Sequence, residues 1–359
     1  MFLLLLTTAA SALADGKVFW SETVPPRIPY QRAIILFHEG KETLVLQSRF
    51  DARGNSATNA AFGWVVPVPA VPEMASTNGW AAHGLFRRFD RASRPEPIEV
   101  LPIFFGCVGT LSTLIVLLGL LFLAIPALRP WRSRHESIFR LGFNGFLFCL
   151  ILGFLLPTFF SARSDVVGVE VIRTEDIGIY EAKVIKAHDA SDLLAWLNQN
   201  GFRFNAADKT VLDRYVHDGW CFVVAKIKEG TQLDEAHEKA GYLIDPIVLT
   251  FPSERAIYPL ALTATIGADT DVLIYLLADQ KMACAKRLPL RFAGEHRLAR
   301  FADSDATSVI NGFLGTWTKQ TVWLTKFKGT LTSAQMQQDL VFTPAKDDRP
   351  YRSHVVTWL

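Results

Sequence analysis

Two long apolar stretches stand out in the pattern of hydrophobic and polar residues. Residues 101–126 fall within 29 residues without a charged side chain, and residues 141–160 fall within a second such stretch of 22 residues. About 20 apolar residues are enough for a helix to span a bilayer, so the pattern predicts a transmembrane hairpin with residues 127–140 as its loop. The alternative is a pair of buried helices in a soluble protein, but such helices seldom stay apolar on every face for this length.

Charges and small residues near these stretches predict the topology. The loop carries four arginines against one acid, which favours a cytoplasmic position. Arginines also flank the hairpin on the other side, so charge alone does not decide the orientation. Residues 1–14, an apolar run with an A-x-A pattern ending at Ala14, resemble a cleavable signal peptide, with an apolar core segment as the alternative. A signal peptide places residues 15–100 and 161–359 outside the cytoplasm, so we expect a multi-pass inner-membrane protein with extracytoplasmic or periplasmic soluble parts.

Small residues recur at spacings of three and four in both apolar stretches. These spacings put them on one face of each helix, where backbones can approach closely. The expected partners are the lipid bilayer and a membrane protein or second copy that packs on this stripe, and the alternative is the ordinary glycine frequency of membrane helices. The stripe glycines are Gly106, Gly109, Gly142, Gly145 and Gly153. Neither stretch contains a charged residue or histidine, which argues against a transporter or pump.

The segment before the hairpin, residues 15–100, has the alternating pattern of β-strands. Side chains of Leu44, Leu46 and Phe50 alternate with polar neighbours, the period of a sheet with one wet face. The predicted strands are Gln31–His38, Thr43–Asp51 and Ala61–Val66, and an amphipathic stretch follows at Trp80–Phe89. Pro67 and Pro69 predict an edge position or a polyproline exit for the third strand. Trp64 either lines a peptide groove there or packs in the core.

The segment after the hairpin, residues 161–359, mixes strands with short helices. One predicted helix is capped by Ser191 and stopped by Gly201, and a second covers Ala206–Asp218. The predicted strands are Val166–Ile172, Ile179–Lys186, a central strand Trp220–Lys226, a hairpin of Leu243–Phe251 with Ala256–Thr263, then Asp271–Leu277 and Gln320–Phe327, with a short helix near Ser333–Gln338. The predicted fold class is α+β, a mainly antiparallel sheet with a few helices plus the inserted hairpin. We expect both segments to fold as one domain, because the first is too small to be stable alone.

Several short motifs occur in an order that resembles a known family. They are Asp15-Gly16-Lys17-Val18-Phe19, Gln31-Arg32-Ala33-Ile34-Ile35, Trp64-Val65-Val66-Pro67-Val68-Pro69, Leu193-Leu194-Ala195-Trp196-Leu197, Gly219-Trp220 and Leu249-Thr250-Phe251-Pro252-Ser253. From Asp15 to about Thr263 the chain resembles a bacterial family catalogued as domain of unknown function 2330. The paired N-terminal cysteines of some members are absent here. The resemblance implies a secreted-type, membrane-anchored envelope protein and adds no catalytic residue.

Composition and charge exclude some classes of protein. The 37 basic and 35 acidic side chains leave a net charge of +2, so no overall field attracts a phosphate backbone and nucleic acid is not expected as a partner. Four cysteines are too few for a small disulfide scaffold. Cys221 and Cys284 are the pair outside the hairpin, and we expect free thiols because Cys221 lies in a central-strand pattern where disulfide geometry is demanding.

Candidate chemistry in the sequence is sparse. Cys221 follows His217 by four residues, and a thiol hydrolase needs such a pair in hydrogen-bonding contact, but a buried inert cysteine fits its apolar strand better. His237 lacks the second histidine of a metal-binding helix and fits a solvated charged turn. Asp269 and Asp271 lack the glycine and terminal glutamate of a calcium loop. No phosphate-binding loop, dinucleotide fingerprint or nucleophile elbow is found. The sequence therefore assigns no catalytic, cofactor-binding or metal-binding residue, and no cofactor.

Three classes of function remain open. The first is a membrane-anchored extracytoplasmic binding or interaction module of the bacterial envelope, favoured because the predicted anchor and sheet are clear while chemistry is not. The second is an envelope hydrolase with a site assembled from residues distant in sequence. The third is an accessory subunit of a membrane complex that docks through the glycine stripe. Whether the chain is an enzyme stays open, although the sequence favours a protein without catalytic activity.

Overall fold

The structure is a computed structural model that describes residues 17–19, 27–51, 63–76, 79–100, 168–228, 231, 242–243, 245–267, 269–285, 288–297, 311 and 321–358. The predicted signal peptide, both predicted membrane spans with their glycine stripe, and the loop between them lie outside these ranges. The strands and helices on which a site can be built lie inside them.

Two predictions from the apolar stretches are corrected. No helix in the ranges above is long and apolar enough to cross a membrane. The longest, Gly79–Ala92, has 14 residues and at about 1.5 Å per residue is shorter than the ~30 Å hydrocarbon core of a bilayer. This finding contradicts the α+β fold with an inserted transmembrane hairpin and the multi-pass inner-membrane location.

The described residues are mostly β-sheet, with four short α-helices among them. The strands are β1 Lys17–Phe19, β2 Arg27–His38, β3 Lys41–Asp51, β4 Gly63–Val68, β5 Glu73–Ser76, β6 Glu96–Val100, β7 Val169–Ile177, β8 Tyr180–Ala187, β9 Cys221–Ile227, β10 Tyr242–Leu243, β11 Ile247–Pro252, β12 Ala256–Tyr258, β13 Thr270–Ala278, β14 Met282–Cys284, β15 Leu290–Arg297, β16 Thr321–Leu331, β17 Leu340–Pro344, β18 Tyr351–Arg352 and β19 His354–Trp358. The helices are α1 Gly79–Ala92, α2 Ala190–Gln199, α3 Lys209–His217 and α4 Ala261–Ala264, and a 3₁₀ turn at Ala206–Asp208 precedes α3.

These strands form four sheets. The largest has nine strands in the order β18-β15-β16-β13-β2-β3-β11-β5, with β10 also paired to β3. A five-stranded sheet has the order β1-β4-β9-β8-β7, a three-stranded sheet the order β12-β17-β14, and β19 pairs with β6. The pair β2–β13 is parallel. The two-residue turn of Glu39 and Gly40, with φ of 46° and 71°, closes the β2–β3 hairpin, since positive φ at both positions suits a tight hairpin turn.

Alternation along the strands places the cores. Residues of both large sheets that face each other, such as Ile35, Leu44, Val66 and Val223, share one buried cluster. The outer face of the nine-stranded sheet packs on α1, and that of the five-stranded sheet packs on α2 and α3. The segments Met1–Pro97 and Val166–Val355 form one compact unit, and Ile98–Asp165 with Val356–Leu359 form a second. The candidate site below lies entirely in the first unit.

Several local features of the fold follow the sequence, and others do not. The N-cap of α2 is Asp189 rather than the predicted Ser191, whose N–H donates to the Asp189 carboxylate. Strand β9 is central in its sheet, as predicted, and Trp64 is fully buried in the core. Pro67 is tolerated in β4 because the described part of β1 pairs only with residues 63 to 65, so the missing N–H costs no ladder bond on that side. The predicted hairpin of β11 with β12 is wrong: β11 pairs with β3 and β5, and β12 pairs with β17. Residues 333–338 form turns rather than a helix.

Candidate functional site

A glycine turn at the end of α3 positions Trp220. The Trp220 N–H donates to the Tyr215 carbonyl at 2.9 Å and the Gly219 N–H donates to the Val216 carbonyl at 3.0 Å. Gly219 has a φ of 75°, as this type of helix C-terminus requires. The turn stops the helix and leads directly into β9. It leaves the Trp220 ring partly exposed against Tyr215, with ring centroids 4.9 Å apart.

Two adjoining cavities meet at Trp220. The first, of about 350 Å³, lies between the end of α3 and the segment before β17, and the second, of about 680 Å³, continues towards the β11–β12 turn. Both are lined by Asp218, Trp220, Ile257 and Val341. We call the two together the Trp220 groove. Their combined volume is that of a site for a sizeable ligand.

The groove is lined by both apolar and charged residues. The apolar ones are Trp220, Pro69, Pro252, Ile257 and Val341. The charged ones are of both signs and are Arg214, Asp218, Glu254 and Arg255. The guanidinium of Arg214 donates to the Gln337 carbonyl at 2.8 Å, which fixes it along one wall. The site therefore offers both apolar and polar contacts to a ligand.

Asp339 anchors the wall of the first cavity. Its Oδ1 accepts hydrogen bonds from the Tyr215 hydroxyl at 2.6 Å, the Leu260 N–H at 2.7 Å and the Ala261 N–H at 2.9 Å. Burial raises the pKa of this carboxyl, and the three hydrogen bonds together with Arg214 offset part of that shift. The same burial raises the pKa of the Tyr215 hydroxyl well above its usual value. One carboxylate thus joins α3, α4 and the start of β17.

Strand β12, the other wall, is held by buried side chains of the nine-stranded sheet. The Ile257 N–H donates to Oε2 of Glu42 at 2.9 Å, and the Tyr258 hydroxyl donates to Oε1 of Gln31 at 3.3 Å. Glu42 and Gln31 are both fully buried. Burial raises the pKa of the Glu42 carboxyl well above its usual value, although the Ile257 hydrogen bond opposes the shift. The Glu42 carboxyl therefore accepts the hydrogen bond of a backbone N–H on β12 that has no acceptor on a neighbouring strand.

A third cavity, of about 320 Å³, lies beyond Glu254 and Arg255 and is also lined by Asp279. The His38 Nδ1 lies 2.7 Å from Asp279 Oδ2 at the ends of the parallel strands β2 and β13. A carboxylate at this distance fixes the orientation of an imidazole ring. This His38–Asp279 pair was not expected from the sequence, since 241 positions separate the two residues.

The structure places the sequence candidates apart from the groove, with one exception. Cys221 is 2% exposed in the core between the sheets, and burial raises the pKa of its thiol, which fits an unreactive cysteine. His217 is exposed at the end of α3, and Asp271 accepts a hydrogen bond from the Thr330 hydroxyl across two strands. His237 lies outside the described residues. Cys284 is partly exposed and lines the first cavity, and no disulfide bond joins it to Cys221.

Few local signals in the sequence indicate the residues that build the groove walls. Glu42 is an acid at the start of a strand, and Asp339 is an acid before one, positions where exposed carboxylates are common. The available signal was a charged residue next to an apolar run, and this pattern does not show whether the carboxyl side chain is buried or exposed. Within the described ranges, no group of three or more His, Cys, Asp or Glu side chains is placed to hold a metal ion.

Comparison with known proteins identifies the family and no closer relative. No curated protein and no solved structure matches this chain. One family model, described as an uncharacterized protein conserved in bacteria, matches residues 156–343, slightly more than half of the chain. The match begins later and ends later than the motifs recognised in the sequence, and takes in β7 to β17. The chain therefore belongs to the bacterial family domain of unknown function 2330.

Proposed function

We propose that this chain is a binding module that takes an extended polypeptide segment of a partner protein into the Trp220 groove. The observation that carries the proposal is the placement of Trp220. Its ring is partly exposed, lines both cavities and rests on Tyr215 at the end of a turn fixed by two backbone hydrogen bonds. A rigid, half-buried tryptophan is the type of residue on which binding energy concentrates at protein interfaces.

The shape and lining of the groove favour a polypeptide. Two cavities joined side by side suit an elongated ligand more than a compact one. Trp220, Pro69 and Pro252 line the groove with aromatic and proline side chains, the type of surface on which extended proline-containing segments bind. The mixed charges of the lining can pair with peptide groups or side chains of either sign. Together these features support an apolar anchor residue over Trp220 and polar contacts along the groove.

A displayed random peptide library tests the proposal. The full chain is used to select peptides, and each enriched peptide is then measured by calorimetry against two variants. Trp220→Ala removes the central anchor, and we expect at least a tenfold loss of affinity, the usual effect of truncating an aromatic hot spot. Tyr351→Ala is the matched control, because Tyr351 is an aromatic residue 43% exposed on β18, outside the groove.

The pattern across these variants decides the outcome. Selected peptides that lose affinity with Trp220→Ala and keep it with Tyr351→Ala support the groove as the site. A library that yields no peptide, or peptides that bind both variants as they bind the wild type, contradicts the proposal.

A hydrolase is the second candidate function, favoured by the His38–Asp279 pair. A carboxylate that orients an imidazole is the arrangement of general-base catalysis. Hydrolysis of a p-nitrophenyl ester by the purified chain is the test. His38→Gln should abolish turnover and His188→Gln, a change at an exposed histidine, should leave it unchanged. Absence of turnover, or equal turnover in both variants, rejects this candidate.

A further inference from the structure

Glu42 occupies an unusual position for a carboxyl group. It lies on β3 between Phe37 of β2 and Phe251 of β11 in register, and its side chain faces the core between the sheets. It is fully buried. An ionised carboxylate in such a place is strongly unfavourable unless it is paired and hydrogen bonded. The contacts of its two oxygens therefore decide whether the neutral or the ionised carboxyl is more stable in the folded protein.

The two oxygens of Glu42 have unequal surroundings. Oε2 accepts the Ile257 N–H at 2.9 Å, whereas Oε1 has no hydrogen-bond partner among the described residues. The neutral acid carries no charge and keeps the bond from Ile257, so its burial costs much less than that of the ionised form. The ionised form has one hydrogen bond and no counter-ion, which leaves most of its charge uncompensated in the core.

The charged groups on the elements around Glu42 do not supply that counter-ion. Those at this end of the sheet are His38 on β2, Glu39 and Lys41 at the β2–β3 turn, Glu254 and Arg255 after β11, Asp279 and Lys281 after β13, and Asp339 before β17. His38 is hydrogen bonded to Asp279 and Lys281 to Asp347, while Lys41, Glu254 and Arg255 are exposed. Burial raises the pKa of the Glu42 carboxyl, and the hydrogen bond from Ile257 opposes that shift.

We propose that Glu42 is a proton-operated latch on the wall of the Trp220 groove. With the proton on, the carboxyl holds β12 against the nine-stranded sheet through Ile257. With the proton off, the charge is relieved when β12 separates and water reaches the carboxylate. Ile257 is the residue through which this motion reaches the site, because it lines both cavities of the groove. Glu42 is a positioning residue in this scheme, and its effect on a ligand rests on the proposed function.

The sign of the pH dependence follows from proton linkage. The latched state binds one more proton than the open state, so raising the pH through the pKa of the latched form favours opening. The ratio of open to latched molecules grows about tenfold per pH unit between the pKa of the open form and the raised pKa of the latched form, and it levels off above the latter because both forms are then ionised. The affinity of a groove ligand falls by the same factor once the open state dominates.

Hydrogen exchange of the Ile257 amide in the full chain tests the latch without any ligand. Wild type and Glu42→Gln are compared at each pH, so that the intrinsic pH dependence of exchange cancels. We expect the wild-type rate to rise above that of Glu42→Gln by up to about tenfold per pH unit as the pH approaches the pKa of the latched form, and the excess to level off above it. The amide of Ile274 in β13 is the internal reference and should show no such excess. Equal rates for Ile257 at every pH, or an equal excess at Ile274, overturn the latch.

A second variant keeps the test usable if Glu42→Gln does not fold. Glu42→Met also lacks a titrating group, and its Ile257 exchange should show no excess pH dependence even though the hydrogen bond is lost. An excess that persists in Glu42→Met would assign the effect to another group and overturn the proposal. Peptides selected on the groove should lose affinity with rising pH for wild type and not for Glu42→Gln. Failure to select any peptide contradicts the proposed function, whereas exchange decides the latch by itself.

Discussion

Three donors converge on one oxygen of Asp339, and they come from two parts of the chain, the end of α3 and the start of α4. The Tyr215 hydroxyl is the one donor among them that a conservative substitution can remove. The two backbone N–H groups remain bonded when it is gone. The arrangement thus allows the value of a single buried hydrogen bond to be measured at the groove wall.

Tyr215→Phe should lower the free energy of unfolding by about 1 kcal/mol, the net value of a typical intramolecular hydrogen bond. The ring stays in contact with Trp220, so the shape of the groove is kept. Urea denaturation followed by circular dichroism measures the change. Tyr351→Phe, at an exposed position on β18, is the control and should have no measurable effect; equal losses in both variants would contradict the role given to Asp339.

Asp90 on α1 gives a pH dependence of opposite sign to that of Glu42. Its carboxylate accepts from Lys326 Nζ at 2.8 Å and from the Tyr275 hydroxyl at 3.1 Å. Burial by itself raises the pKa of Asp90, but Lys326, Tyr275 and Arg94 outweigh it, so the pKa is lowered from its usual value. The stabilisation from this group is present above about pH 4, the range of an unfolded aspartate, and is lost as the pH falls through the folded pKa.

We expect Asp90→Asn to remove this acid-side loss of stability. The carboxylate is 56% exposed, so solvent screening keeps the effect small, below about 1 kcal/mol. Unfolding free energies at pH 7 and pH 3 measure it for wild type, Asp90→Asn, Lys326→Met and the double variant. If the two residues act as a pair, the double variant will match the pH response of the single variants; additive responses would contradict the pairing.

At the scale of elements, two glycines on helices predict opposite effects of the same substitution. Gly219 has a φ of 75° at the end of α3, and a Cβ there meets no atom within 4 Å, so any penalty arises from the backbone. Gly84 lies in the exposed interior of α1, where a Cβ also meets nothing within 4 Å. Alanine should therefore destabilise the first by about 1 kcal/mol and stabilise the second by about 0.5–1 kcal/mol. Thermal melting of Gly219→Ala and Gly84→Ala checks both signs, and a shift in the same direction for both would refute the helix-end geometry assigned to Gly219.

Local patterns in the sequence predicted many elements and few of their pairings. Strand patterns indicated β2, β3 and β8, apolar residues on both faces indicated β9, and glycines marked the ends of α2 and α3, because these signals depend on neighbours along the chain. The pairing of β12 with β17 could not be predicted, since the three-residue β12 carries no periodicity of its own. Its position depends on Ile257 and Glu42, which are 215 positions apart. Such contacts have no local signature.

The candidate site was visible only in part for the same reason. Gly219 before Trp220 is a recognisable helix stop, so the place of the tryptophan could be foreseen. The burial of Glu42 and Asp339 depends on packing between sheets, which residue type and spacing do not encode. The apolar runs at residues 101–126 and 141–160 lie outside the described residues, so they contribute nothing to the description of the groove.

For the whole molecule, the order of strands makes the two ends of the chain dependent on each other. Strands β2 and β3 from the N-terminal part lie between β13 and β11 from the C-terminal part, and β4 pairs with β9. The family match at residues 156–343 omits β2, β3 and β4. Without them both large sheets are interrupted at or beside their centres.

We therefore expect neither residues 1–97 nor residues 166–359 to fold alone. Each fragment would leave long hydrophobic strands unpaired and its core open to water. Circular dichroism and amide dispersion in NMR spectra of the separate fragments test this, and mixing them should restore native-like spectra. A cooperative unfolding transition in either isolated fragment would show that the sheets do not need both parts.

The parallel pairing of β2 with β13 also bears on how the protein is made. More than two hundred residues separate the end of β2 from the start of β13. At the usual pace of synthesis, roughly 5–20 residues per second, β2 leaves the ribosome about ten to fifty seconds before β13, its parallel partner, exists. During that interval the residues of β2 that are buried in the folded protein, Ala33 to Leu36, lack this partner, and the long loop that the pairing closes slows folding further. The time at which residues 270–278 emerge, rather than the emergence of the N-terminus, sets when the larger core can first close.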